Sequence, residues 1–105
     1  DAQRFTAFTD EAGTLLNAYF DGSYFSDRSH SVKSDIPVAC EITFSNSAVE
    51  LVVKSPQASS LSVSMDRQPK GVLLNGSMVR SWKYDTRSKM LTIKLPEGVS
   101  TITAN

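Results

Sequence analysis

Residues 9–22 read TDEAGTLLNAYFDG, and they decide whether the fold contains a helix or is strand throughout. Ala12, Leu15, Leu16, Tyr19 and Phe20 fall at i, i+3, i+4, i+7 and i+8, the spacing of one helical face. Thr9 is placed to cap such a helix, with Asp10 and Glu11 in its first turn and Gly22 beyond its end. Gly13 opposes it by about 1 kcal/mol relative to alanine. The rival is a hairpin: RFTAF (4–8) runs out, TDEAG (9–13) turns, and TLLNAYF (14–20) returns. Local periodicity favours the helix, yet these residues alone leave both readings open.

Downstream, strand signals dominate. IPVACEITF (36–44) alternates, with Ile36, Val38, Cys40, Ile42 and Phe44 on one side and Ala39, Glu41 and Thr43 on the other. Period two marks a strand with one buried face, and it places Cys40 in the core. SNS (45–47) turns the chain into AVELVVKS, where Val49, Leu51 and Val53 repeat the pattern. SLSVSM (60–65) sets Leu61, Val63 and Met65 together, and RQPKG (67–71) breaks the run because proline has no amide to give a ladder. VLL (72–74) is expected to pair with MVRSWKY (78–84) across Asn75-Gly76, since a type I′ turn needs positive φ at both central residues. DTRSK (85–89), MLTIKL (90–95), PEG (96–98) and VSTIT (99–103) complete a connection, a strand, a turn and a last strand. Turn signals about every 8–12 residues predict an all-β, antiparallel, immunoglobulin-like sandwich of about eight short strands.

A length of 105 residues holds one domain with one core, expected to span 1–105. Apolar residues make up 40% and charged residues 21%, which suits a folded chain rather than a disordered one. No run approaches the roughly 18 apolar residues a membrane helix needs, so no membrane partner is expected. Net charge is zero, but residues 1–55 carry four Lys/Arg against eight Asp/Glu and residues 56–105 carry seven against three. The basic residues are scattered rather than clustered along a phosphate track, which argues against nucleic acid. One cysteine rules out an internal disulfide, and a single His30 leaves no pair for a metal or a relay, so no cofactor is expected. The first residue is Asp1, consistent with a processed product or a piece of a larger protein.

Chemistry has few carriers. Asp10/Glu11 and Asp21/Asp27 are the candidate acid pairs for glycoside hydrolysis. Adjacent strand residues point to opposite faces, however, and turn acids commonly bond their own backbone. No nucleophile elbow, phosphate loop or zinc motif occurs, and His30 lies in polar SDRSHSVKSD, read as a solvated loop or strand edge. The domain is therefore expected to be a non-enzyme. A sugar platform is the sharper alternative: Met78, Arg80, Trp82 and Tyr84 would share one strand face, with Trp82, Tyr84 and Arg80 as carbohydrate-binding candidates. The competing role for Trp82 is packing at the sandwich margin, with its indole N–H needing a partner. Tyr19, Phe20, Tyr24 and Phe25 form a second aromatic group beside a glycine turn, read as edge packing.

The succession of these pieces resembles a known module. FTDEAGTLLNAYFDGSYFSD, with Tyr19, Gly22 and Tyr24 as its Tyr-x-x-Gly-x-Tyr element, is similar to the opening of the C-terminal β-sandwich domain of bacterial alpha-glucosidase and alpha-xylosidase-type glycoside hydrolases. The later signature is met by Pro69, Val72, Asn75-Gly76, the strand Trp82-Lys83-Tyr84-Asp85, and LTIKLPEG. Ala12 separates Asp10 and Glu11 from Gly13, a departure from the family's acidic pair followed directly by glycine. The resemblance implies a β-hairpin over 4–20 in place of the helix. It also implies an accessory module from the C-terminal part of a secreted or periplasmic enzyme, packing against the catalytic domain of the same chain. The catalytic carboxylates of such enzymes lie on a separate barrel.

Overall fold

The structure is a computed structural model that describes residues 4–9, 16–27, 30–45 and 48–105, with side chains described over 18–26, 30–45 and 48–105. It is all-β and antiparallel. The strands are β1 (Arg4–Thr9), β2 (Leu16–Asp27), β3 (His30–Phe44), β4 (Val49–Ser55), β5 (Ser59–Ser64), β6 (Val72–Leu74), β7 (Ser77–Met78), β8 (Trp82–Asp85), β9 (Met90–Leu95) and β10 (Gly98–Ala104). Ten strands are thus described where about eight short ones were expected, and β2 and β3 are long, at 12 and 15 residues. Residues 16–20 are strand, not the helix that local spacing favoured: Arg4–Thr9 pairs with Leu16–Asp21 in antiparallel register, the pairing of the hairpin that the resemblance implies. The acidic turn expected at 9–13 lies outside the described residues from Asp10 onward.

The strands form one sheet curled into a half-barrel, and its bend can be traced to β2 and β3. The first half of β2 pairs with the second half of β3, from Leu16↔Phe44 to Gly22↔Val38. The register then slips, and pairing resumes at Tyr24↔Lys33. On its other side β3 pairs with β5 through Val32–Ser34 and with β4 through Ala39–Phe44. Asp35, Ile36, Pro37 and Val38 pair with neither, and Pro37 suits that gap because it has no N–H to offer. Two arms result. The first runs β1-β2-β3-β4-β10-β6-β7, and the second runs β2-β3-β5-β9-β8.

The bend is sharp enough to bring both ends of β3 together. Fifteen extended residues would separate His30 from Phe44 by roughly 46 Å, yet their rings lie 4.4 Å apart between centroids. The slip in β2 also changes its phase. Phe20 and Phe25, five apart, would face opposite ways on an unbroken strand, but both are buried, with centroids 5.9 Å apart. Cys40, Leu51, Val53 and Ile102 from the first arm share one core with Val32, Leu61, Val63 and Ile93 from the second. Their alternation is that read from the sequence, except that Ile36 and Met65 are only partly buried.

Candidate functional site

The expected strand 78–84 is divided. Ser77–Met78 forms β7 at the edge of the first arm, residues 79–81 are not strand, and Trp82–Asp85 forms β8 at the edge of the second arm. VLL therefore pairs only with Ser77 and Met78: Leu74↔Ser77 and Leu73↔Met78. Asn75 and Gly76 between them take φ of 52° and 84°. The division separates the residues that alternation had put on one face. Met78 is 76% exposed, and exposed Arg80 sits in the crossing between arms.

Trp82 and Tyr84 stay together on one side of β8, and that side faces the core. Their register partners, Ile93 and Leu91, are fully buried, and both rings pack against the apolar cluster while remaining partly exposed. The indole N–H of Trp82 donates to the Val79 carbonyl at 3.1 Å. The Tyr84 hydroxyl donates to the Met65 carbonyl at 2.6 Å. Partial burial, with Asp66 and Asp85 adding, raises the Tyr84 phenol above its usual pKa. Each ring thus pins a crossing between the arms, with its polar end bonded to backbone. Of the three carbohydrate-binding candidates, Trp82 and Tyr84 lie on β8 and exposed Arg80 lies before it.

Of the acid pairs, Asp10 and Glu11 lie outside the described residues. Asp21 pairs in register with Ala39 on the first arm. Asp27 pairs with His30 on the second, and its side chain is not described. His30 opens β3 half-buried, its ring against Phe44, where a solvated loop or strand edge was expected. Its Nδ1 has no hydrogen-bond partner among the described residues. Cys40 is fully buried, and burial, with Glu41 adding, pushes its thiol up to about 12, so it is inert in the fold.

The two outward faces differ in character, which only strand register reveals. On the first arm a trough of about 630 Å³ lies over β2, β3, β4 and β10, with Glu41, Glu50, Val52, Thr101 and Thr103 among its lining. Leu73, Met78 and Val99 continue that face as exposed apolar side chains. On the second arm a shallower trough of about 670 Å³ carries Lys33, Ser62, Thr92 and Lys83. Sequence alternation marks Glu41, Glu50, Val52 and Ser62 as outward, but their neighbours across strands depend on pairings far apart in the chain. No family model, curated protein or solved structure matches this chain.

Proposed function

We propose that the chain is a non-catalytic accessory β-sandwich module of a secreted bacterial glycoside hydrolase, packing against the catalytic domain of the same polypeptide. The observation that carries the docking role is the outward face of the first arm. Val52, Leu73, Met78 and Val99 are exposed there on neighbouring strands, with Met78 and Val99 at 76% and 62%. Leu73 and Met78 are direct register partners, and Val52 and Val99 lie diagonally across β4 and β10, so two exposed apolar pairs on one face favour a contact surface. The parent enzyme class rests on the two sequence signatures around Tyr19-Gly22-Tyr24 and Trp82-Lys83-Tyr84-Asp85.

The finer fold reading goes with this proposal: two layers packed in the immunoglobulin manner, with a type I′ Asn-Gly hairpin at the edge of the first arm. The 4.4 Å approach of His30 and Phe44 supports the layered packing. The positive φ at both Asn75 and Gly76 supports the turn type.

Two measurements test the function. Sequencing the gene around this segment should find a barrel-type hydrolase in the same reading frame; its absence refutes the parentage. In the full-length enzyme, Met78→Asp with Val99→Asp should loosen the module, seen as faster proteolysis at its boundary. An unchanged digestion pattern refutes docking through this face.

A further inference from the structure

We propose that the outward face of the second arm is an oxyanion site, taking a sulfate, phosphate or carboxylate group over a row of four side chains. The row crosses four strands in direct register. Lys33 of β3 pairs with Ser62 of β5, Ser62 with Thr92 of β9, and Thr92 with Lys83 of β8. All four lie on the side away from the core, because their chain neighbours Val32, Leu61, Val63, Leu91 and Ile93 are buried, and Trp82 and Tyr84 beside Lys83 pack on that core. Three strand spacings place the lysines about 14 Å apart at Cα, so both stems can lean inward over the pair of hydroxyls between them.

That pair is itself suited to an anion. The hydroxyls of Ser62 and Thr92 are 2.8 Å apart, and either can donate to the other. Whichever donates, the second hydroxyl keeps its own proton free to point outward. The row thus offers two ammonium groups and at least one O–H donor over a trough of about 670 Å³, and charge-assisted bonds of this kind are the strong ones.

Two carboxylates at this face, Asp35 and Asp85, accept backbone N–H groups and keep their charge. Asp35 Oδ1 accepts the Ser60 N–H at 2.9 Å. Asp85, at the rim, accepts the backbone N–H groups of Arg87 at 2.9 Å and Ser88 at 3.4 Å through Oδ1. Lys33, Lys83 and the adjacent Lys94 have no carboxylate partner among the described residues. Their ammonium groups are therefore open to an external anion.

The test is an NMR titration of the ¹⁵N-labelled 105-residue chain with sodium sulfate, with dextran sulfate and with neutral dextran, ionic strength being held constant with sodium chloride. Saturable shifts should appear at the amides of Lys33, Ser62, Lys83 and Thr92, and neutral dextran should give none. Saturation by sulfate itself identifies a free-ion site; saturation by dextran sulfate alone identifies a site for groups carried on a polymer. Lys33→Gln and Lys83→Gln should each weaken binding by roughly two- to fivefold, and Asp85→Asn should tighten it. Lys70→Gln, away from this face, should leave binding unchanged. Failure of both anions to saturate overturns the site, as does a loss with Lys70→Gln equal to that with Lys33→Gln, since diffuse attraction would then suffice. An unshifted Trp82 emission maximum in each variant establishes that the fold is intact.

Discussion

The phenol of Tyr84 ties β8 to the chain just beyond β5 through the Met65 carbonyl, and the indole of Trp82 ties the same strand to the crossing at Val79. Both bonds are made at the margin of the core, where each ring has one apolar and one wet side. Replacing Tyr84 with Phe keeps the packing and leaves the half-buried Met65 carbonyl without this donor. The expected loss is about 1 kcal/mol, read as a lower urea midpoint with an unchanged m-value. The inward, packed placement of Trp82 was legible from its need for an N–H partner and from alternation with Tyr84. That Met78 and Arg80 lie outside β8 was not. It follows from a chain crossing at 79–81 that no local pattern in MVRSWKY announces.

Single strands were read well wherever one face is buried, because period two then acts on every residue of β3, β4, β5 and β9. The helical spacing read over residues 12–20 misled at 16–20, which are strand, for an equally physical reason. In a strand only alternate residues turn inward, so Ala18 and Phe20 are buried while Tyr19 lies on the outer trough. Pairing with β3, from Leu16↔Phe44 to Gly22↔Val38, outweighs a local preference worth far less. The β6–β7 turn offers a cleaner check at this scale. A Cβ on Gly76 would meet nothing within 4 Å, so the burden of Gly76→Ala is its φ of +84° alone. The variant should lose about 1 kcal/mol in urea unfolding. A neutral result would mean that the turn relaxes to another type.

For the molecule as a whole, everything depends on the sheet folding back at the corner of β2 and β3. That corner was hidden in the sequence, where IPVACEITF reads as the start of a strand rather than as the continuation of a 15-residue one. Nothing local signals that HSVKSD belongs to the same strand, since its inward positions include His30 and Ser34 and its ladder partners lie on β5. The fold-back joins both arms in one core, turns Trp82 and Tyr84 inward, and leaves two outer faces of different character. The direct test is a nuclear Overhauser experiment on the aromatic protons of His30 and Phe44. Strong cross-peaks between the two rings are expected, as from protons within about 5 Å, given centroids 4.4 Å apart. Their absence, with Phe44 reporting only on its β2 and β4 neighbours, would mean that the arms do not close, and the shared core would go with them.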